Sequence, residues 1–423
     1  MQSSRKSENN STARTIVSLM RSNLAVAVIG AVASILQARF VSPEDLGFFR
    51  QFGIITGYLF FLHFGTYQAV ERLYPLYVGR GEIDKARSIL STAETWILFI
   101  SVPCAAVFAV LSVNSFIFGN WRAGLGWLSQ SIAMITTVYG GYVKATYRSG
   151  QDFKRLANIQ MITSIVTLLI IPIYPFMPYF GLFLKNTNTL PATVVMYQMR
   201  PERVKRRFSF KNFKEILKNG LPRFSSSYAL TTGIEAIRAT VVLSFLGQVR
   251  LGYWSFSWTI LGLLKQIPQS VSAVYAPKIT QEYGRSADLR NCLKMCKKPF
   301  LVTLLVVILM IPASALGAFV FVPWLIPKYA EAKMLIFATI VAMLPSALLD
   351  LPWQVINSTK KIGVLNFLAI MDMATQCLLM ILTVALGAGV YSIIFASIAG
   401  TVVRALGMLI FFVYVRRKKV YGE

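Results

Sequence analysis

The feature that most constrains this sequence is the repeated occurrence of long apolar runs, each about 20 residues in length. A helix of that length crosses the hydrocarbon core of a bilayer, and its backbone groups are all satisfied internally. The chain is 55% hydrophobic and only 14% charged, whereas a soluble protein carries about a quarter charged residues. The sequence therefore predicts an all-α membrane protein with many membrane crossings.

The apolar runs predict twelve transmembrane helices. The predicted spans are Thr15–Ala38, Phe48–Val70, Ala93–Ile117, Leu125–Thr146, Leu156–Pro175, Tyr179–Met199, Leu221–Gly247, Leu251–Tyr275, Phe300–Val320, Met334–Leu351, Gly363–Leu386 and Val390–Val415. The sixth span contains Lys185, two asparagines and a proline, which favours a broken or tilted helix that lines a cavity.

The net charge of the chain is +26, and the distribution of its positive residues agrees with the predicted topology. Segments on one side of the membrane hold about three quarters of the 43 Lys and Arg residues, and the densest cluster lies at Arg200–Arg223. Positive residues concentrate in cytoplasmic loops, so both termini are predicted to be cytoplasmic. No nucleic-acid partner is expected, because no basic helix interleaved with aromatic residues occurs outside these loops.

Short motifs recur in order and at nearly constant spacing, which indicates an internal repeat. The matching pairs are Leu46–Phe49 with Leu251–Trp254, Gly79–Arg80 with Gly284–Arg285, and Val102–Pro103 with Ile311–Pro312. Because the copies lie six spans apart, both have the same orientation across the membrane. This pattern predicts two six-helix lobes related by a parallel pseudo-two-fold repeat.

The predicted organisation follows from the spans and the basic segments. It comprises a disordered cytoplasmic tail at 1–14, an N-lobe at 15–199, a basic cytoplasmic linker at 200–220, a C-lobe at 221–415 and a basic cytoplasmic tail at 416–423.

Ionisable residues inside the predicted spans are candidate functional groups, because each costs about 2.5–3.5 kcal/mol at the bilayer centre. Glu235 and Arg238 lie three residues apart on one face of the seventh span, either as a structural ion pair or with Arg238 facing a cavity. Lys265 and Arg404 lie closer to mid-membrane than most other cations. A guanidinium suits phosphate oxygens through its forked donors, so these cations favour an anionic ligand.

Other ionisable groups are assigned with two interpretations each. The side chains of Arg21 and Arg50 either face the cavity or snorkel, with the apolar stem in the bilayer and the charged group at the membrane surface. Asp372, a carboxylate between helices, is a candidate for ion coupling, and Glu235 competes for that role. His63 is the only histidine in the chain and is either a packing residue or a proton relay.

Signatures of catalysis and of metal binding are absent from the sequence. There is no phosphate-binding loop of the nucleotide hydrolases, and no His, Cys or carboxylate cluster has metal-ligand spacing. The chain is expected to need no cofactor and to catalyse no reaction, since no predicted outside loop is long enough to form a catalytic domain.

Several segments together resemble the Wzx-type polysaccharide flippases. They are ARFVSPEDLGFFRQFG (Ala38–Gly53), LYPLYVGRGEIDKARSI (Leu73–Ile89), GLPRFSSSYAL (Gly220–Leu230), FLGQVRLGYWSFS (Phe245–Ser257) and YAPKITQEYGRSADL (Tyr275–Leu289). Those flippases belong to the multidrug/oligosaccharidyl-lipid/polysaccharide exporter (MOP) superfamily. The resemblance implies a V-shaped exporter fold and alternating access.

The resemblance also implies a substrate and a location. The substrate is an undecaprenyl-pyrophosphate-linked oligosaccharide repeat unit, such as that of O-antigen in lipopolysaccharide, moved to the outer leaflet of the bacterial cytoplasmic (inner) membrane. Arg238, Lys265, Arg404, Arg21 and Arg50 are then the expected pyrophosphate-binding residues. Further expected partners are membrane lipid, a coupling ion (H⁺ or Na⁺) and the polysaccharide polymerase machinery.

Two alternatives remain at this stage. A cation-coupled multidrug exporter of MATE type would have a cavity rich in acids and aromatics. A membrane glycan polymerase or ligase would need a large outer loop with catalytic groups.

Overall fold

The computed structural model describes residues 29–286, 288–359 and 361–420. Within these ranges the secondary structure is helical and no strand occurs, which confirms the all-α prediction. The predicted tail at 1–14, Arg21 and the last three residues lie outside the described residues.

The helices are numbered here in chain order. They are α1 (Ile29–Phe40), α2 (Pro43–Leu59), α3 (Thr66–Gly79), α4 (Ile83–Ile117), α5 (Trp121–Ala133), α6 (Gly140–Ser149), α7 (Phe153–Ile170), α8 (Pro178–Thr187), α9 (Thr189–Gln198), α10 (Phe210–Tyr228), α11 (Ile234–Leu246), α12 (Gln248–Ser286), α13 (Leu289–Leu316), α14 (Val322–Leu325), α15 (Lys333–Met343), α16 (Asp350–Ser358), α17 (Ile362–Ala385) and α18 (Tyr391–Val420). From residue 29 onward, each of the twelve predicted spans corresponds to one of these helices or to successive helices.

Several spans change helix type along their length. The second contains a 3₁₀ turn at Phe60–His63, after which Gly65 adopts a φ of 75° and α3 begins. Short π-helical segments join α5 to α6 and α10 to α11. The sixth span is divided at Asn188, whose side-chain amide donates to Thr167 Oγ1 at 2.7 Å. Asn188 and Lys185 therefore place polar groups where the sequence predicted a broken helix.

Many of the described helices are long and apolar enough to cross a membrane. By length and composition, seven helical stretches of the described chain meet this condition: Ile83–Ile117, Phe153–Ile173, Phe210–Leu246, Leu289–Leu325, Pro327–Ser358, Ile362–Ala385 and Tyr391–Val415. The chain is therefore a multi-pass membrane protein.

The contacts within the chain divide its described part into two compact units. Unit 1 contains residues 29–41 and 48–225, and unit 2 contains residues 42–47 and 226–420 apart from the two gaps. These limits come from packing; the lobe boundaries drawn from hydropathy stay a prediction.

Unit 1 has a core formed mainly by α3, α4 and α6. Its buried residues include Val70, Leu73, Ile89, Ile97 and Val138. Tyrosines fix the helices by donating to backbone carbonyls: Tyr142 to Leu90 at 3.0 Å and Tyr147 to Met196 at 2.9 Å. A buried tyrosine needs such a partner, so these bonds define how α6 packs against its neighbours.

Unit 2 is built around α12, a helix of 39 residues. This helix packs against α11, α13, α15 and α16, while α17 and α18 lie side by side. Near the start of α12, Gly252 lies directly against the backbone of Pro43, and a Cβ at this position would clash. The repeated Leu-Gly motif thus marks a close backbone approach.

Candidate functional site

A buried polar network in unit 2 begins at Arg238 on α11. Arg238 is 6% exposed, and its Nη2 donates to Gln376 Oε1 at 2.6 Å and to Ser397 Oγ at 3.0 Å. Its Nη1 lies 3.5 Å from Glu235 Oε2, one helical turn earlier. Arg238 therefore forms the ion pair that was one of the two interpretations drawn from the sequence, and it also contacts α17 and α18.

The network continues from α17 to α18 through Asp372. This carboxylate is 1% exposed, accepts from Gln376 Nε2 at 2.6 Å, and lies 3.3 Å from Arg404 Nε. Gln376 is the link, because its amide accepts from Arg238 and donates to Asp372. A Cβ at Gly400 would clash with Asp372, so the small residue allows the close packing of α17 on α18.

Two indoles from α12 contact the pair formed by Glu235 and Arg238. Trp254 is buried and its Nε1 donates to Glu235 Oε1 at 3.1 Å. The Arg238 guanidinium lies 5.2 Å from the centroid of the Trp258 ring, within cation–π range. The two indole rings stack with centroids 5.8 Å apart. Trp254 thus lies inside the unit.

Lys265 extends the same cluster from α12. Its Nζ donates to Ser346 Oγ at 3.0 Å, in the 3₁₀ segment between α15 and α16. Arg238, Asp350 and Arg404 are all close enough to Lys265 to interact with it electrostatically. The structure therefore brings together the three cations that the sequence singled out in this half of the chain.

The described cluster in unit 2 is balanced in charge. Lys265 has Asp350 in its vicinity, Arg238 has Glu235, and Arg404 has Asp372. Asp350 was not among the candidate residues selected from the sequence. A signal for it was present, because Asp350 is a carboxylate inside the predicted tenth span, one residue from the predicted end.

Unit 1 contains cations in a different setting. Lys185 donates from Nζ to Gln37 Oε1 at 2.5 Å, and Arg50 lies close enough to interact with it electrostatically. In the part of the chain that the structure describes, no carboxylate forms an ion pair with Lys185. Arg50 is exposed on α2. Lys185 and Arg50 are thus neighbouring cations within unit 1.

A second positive group in unit 1 was not selected from the sequence. Arg72 on α3 interacts electrostatically with Arg223 on α10, and Lys144 on α6 does so with Arg148. Among the described residues, neither Arg72 nor Lys144 has an ion-pair partner, whereas Arg148 pairs with Glu71 at 3.0 Å. Arg72 and Lys144 are thus further cations of unit 1 that each have a cationic neighbour.

His63 lies at the break between α2 and α3. It is 1% exposed and stacks on Tyr67 with ring centroids 4.1 Å apart, and Phe60 and Phe224 pack against it. The Gly65 N–H donates to His63 Nδ1 at 3.0 Å, which leaves Nε2 as the protonated nitrogen. Nε2 has no hydrogen-bond partner among the described residues.

A buried carboxylate that sequence analysis missed, Glu94, anchors the basic linker to unit 1. Glu94 Oε1 accepts from Tyr139 Oη at 3.1 Å, and it lies 2.9 Å from Arg200 Nη1 and 3.4 Å from Arg206 Nε. Burial alone would lower the pKa of Arg200, but Glu94 outweighs it and the pKa is raised. Ser91, one turn earlier, accepts from the Arg207 N–H at 2.8 Å. The linker, which has no regular secondary structure at residues 202–209, is therefore held against α4.

Among the described residues, no group of three His, Cys, Asp or Glu side chains is arranged to hold a metal ion. All four cysteines are free, and Cys292 and Cys296 are buried in α13.

Residues 35–327 match a family model described as polysaccharide biosynthesis protein. The chain belongs to this family. The match extends from the first predicted lobe into the second, so the family resemblance inferred from the loop motifs is confirmed. No curated protein matches this family member at a significant level.

Solved structures of transporters share the fold of this polysaccharide biosynthesis family member. A multidrug resistance MATE family transporter of the MOP superfamily, in its inward-facing conformation, has a TM-score of 0.72 at 14% identity, over 95% of this chain and 99% of that one. An outward-facing conformation gives a TM-score of 0.60 at 16% identity, over 96% of each chain.

A third similar structure is a MOP superfamily transporter from Pyrococcus furiosus, for which a reverse polarity of the binding pocket suggests a different function. Its TM-score is 0.62 at 15% identity, over 96% of each chain. At these identities the likeness establishes the fold alone. The family member therefore has the all-helical fold of the MOP superfamily transporters, as the sequence predicted.

Proposed function

We propose that the protein is a flippase that moves undecaprenyl-pyrophosphate-linked oligosaccharide repeat units from the inner to the outer leaflet of the bacterial cytoplasmic membrane. Alternating access, coupled to antiport of H⁺ or Na⁺, would drive the movement. The observation that carries the proposal is the convergence of Arg238, Arg404 and Lys265 on one interior cluster. The family description, polysaccharide biosynthesis protein, supports the choice of a glycan substrate.

The proposed head-group contacts follow from the donors of these side chains. Arg238 and Arg404 offer forked guanidinium donors, which match two phosphate oxygens at once, and Lys265 adds a compact charge. Arg50 in unit 1, next to Lys185, is a proposed additional contact. Arg21 is proposed for the same role from its sequence position, outside the described residues.

Because the cluster is charge-balanced, binding of an anion requires that an acid be neutralised. A proton on Asp372 would remove the charge that faces Arg404, and a proton on Glu235 would do so for Arg238. Either event leaves the cluster positive and its guanidinium donors available to phosphate. These two carboxylates are the proposed coupling groups, and His63 is a third candidate through Nε2, which has no hydrogen-bond partner in the described part of the chain.

The surroundings implied by this function are also proposals. The flippase would have both termini in the cytoplasm, contact membrane lipid, and deliver its glycan to the polysaccharide polymerase machinery. The glycan would be an O-antigen or related repeat unit of lipopolysaccharide, and no nucleic acid takes part.

A second candidate function is cation-coupled export of drugs, as in MATE transporters. The observation that favours it is the combination of Glu235 and Asp372 with the indoles of Trp254 and Trp258. Acids and aromatic faces together bind lipophilic cations. A glycan polymerase or ligase remains the less favoured third possibility.

A transport assay in proteoliposomes separates these functions. We expect the purified protein to move a fluorescent polyprenyl-pyrophosphate-linked sugar between leaflets, while a lipophilic cation of similar size is neither moved nor able to inhibit this movement. Transport of the cation without movement of the lipid-linked sugar would establish the drug exporter instead. Elongation of the sugar by the purified protein would establish the polymerase.

A further inference from the structure

A separate cavity lies in unit 2 at the end of α13 that the charge asymmetry predicts to be cytoplasmic. Its volume is about 760 Å³, and it is lined by α13, α16 and α18. This volume falls within the range of about 300–1,000 Å³ that is usual for small-molecule sites. The cavity shares no lining residue with the Arg238–Asp372 network.

The walls of this cavity are mostly apolar. Leu293 and Phe300 line it from α13, and Leu409, Phe412 and Val413 line it from α18. Leu409 is 59% exposed and Val413 is 44% exposed. In a helix that crosses a membrane, such exposure means contact with lipid, so hydrocarbon chains can enter the groove from the side.

The rim of the cavity is cationic. Arg290, Lys294 and Lys297 line it at a spacing of four and three residues, which places them on one face of α13. All three are exposed, and none forms an ion pair within the described ranges. Asp288 is the one carboxylate in the described lining, and its side chain accepts from the Arg290 N–H at 2.9 Å as the cap of α13.

From this geometry we infer that the cavity binds an anionic phospholipid, with its phosphate at Arg290, Lys294 and Lys297 and an acyl chain in the apolar groove. Charge complementarity identifies the head group, because three cations stand against one carboxylate. The apolar walls select a lipid over a free anion.

Native mass spectrometry of the full-length protein in detergent tests this inference. The probes are dioleoyl phosphatidylglycerol, dioleoyl phosphatidylcholine and inorganic phosphate. We expect phosphatidylglycerol to bind at least about tenfold more tightly than phosphatidylcholine, since each basic residue near an anionic lipid contributes about fivefold. Inorganic phosphate should not compete at equal concentration.

The test variant is R290Q/K294Q/K297Q, and the matched control is K211Q/K214Q/K218Q. The control removes three exposed lysines at a similar helical spacing from α10, none of which lines the cavity. We expect the test variant to lose the preference for phosphatidylglycerol, by about tenfold or more, and the control to keep it. The single variant K294Q, with an expected loss of a few fold, serves if the triple variant does not fold.

Three results would overturn the inference. They are equal binding of the two phospholipids by the parent protein, unchanged preference in the charge variants of α13, and an equal loss in the α10 control. Competition by inorganic phosphate would show that the cavity binds anions in general and is not a lipid site. None of these results depends on transport, so the experiment tests the lipid site independently of the proposed function.

Discussion

Replacing Arg238 with alanine is expected to abolish export of the lipid-linked glycan. The side chain donates two charge-assisted hydrogen bonds, to Gln376 and to Ser397, and faces Glu235. A hydrogen bond of this charge-assisted kind contributes about 1.5–3 kcal/mol. In the proposed transport cycle Arg238 makes two such bonds to phosphate oxygens, and their loss would slow flipping by at least about 100-fold. Complementation of a flippase-deficient strain, read as surface glycan, measures this effect.

Several variants distinguish the proposed role from a general loss of structure. Lys265→Ala should have a similar effect, because Lys265 belongs to the same cluster. Arg238→Lys keeps the charge without the fork and should restore only part of the activity. The matched control is Arg250→Ala, which removes an exposed arginine near the start of α12 and should export normally. Insertion and monodispersity of the purified variants must equal those of the parent. Full complementation by both R238A and K265A would contradict the assignment.

The second large effect is expected at Glu94. Alanine at this position removes the only described carboxylate that pairs with Arg200, which is 7% exposed, and leaves its charge buried without compensation. Removing one partner of a buried ion pair destabilises a protein by about 3–5 kcal/mol. We expect a clear fall in the thermal unfolding temperature of the purified protein, and release of the linker from α4.

Arg206→Ala is the control for Glu94, because Arg206 contacts the same carboxylate oxygen but is 54% exposed. An exposed ion pair contributes at most about 1 kcal/mol, so this variant should unfold close to the parent temperature. Limited proteolysis between Arg200 and Ser209 reports release of the linker. The account of this contact fails if E94A melts like the parent, or if R206A is destabilised as much as E94A.

The fold could largely be predicted from the sequence, because each predicted span from residue 29 onward has a helical counterpart. Apolar runs of membrane length leave few alternatives. The helix ends were predicted less well. The seventh span was predicted to begin at Leu221, whereas α10 begins at Phe210. Its first turns are amphipathic, with Lys211 and Lys214 exposed and Phe213 buried, and hydropathy alone does not detect such a segment.

The candidate site could be predicted from the sequence only in part. The pairing of Glu235 with Arg238 follows from their spacing on one helix, and sequence analysis included it. The contact between Asp372 and Arg404 joins two helices, so its register depends on the packing of α17 on α18. Glu94 was missed because it stands next to the start of a predicted span, where an acid is usually solvated. Its burial depends on the linker, which returns more than a hundred residues later in the chain.

The central claim is that a phosphate-bearing lipid head binds at the cluster of Arg238, Lys265 and Arg404. Equilibrium binding of a short-chain polyprenyl pyrophosphate to the purified protein tests it most directly, with the uncharged polyprenol of equal chain length as the reference. The account predicts that the pyrophosphate binds at least about tenfold more tightly, and that Lys265→Met removes most of this difference. Equal affinity for the two lipids, or displacement of the pyrophosphate lipid by a lipophilic cation, would contradict the account.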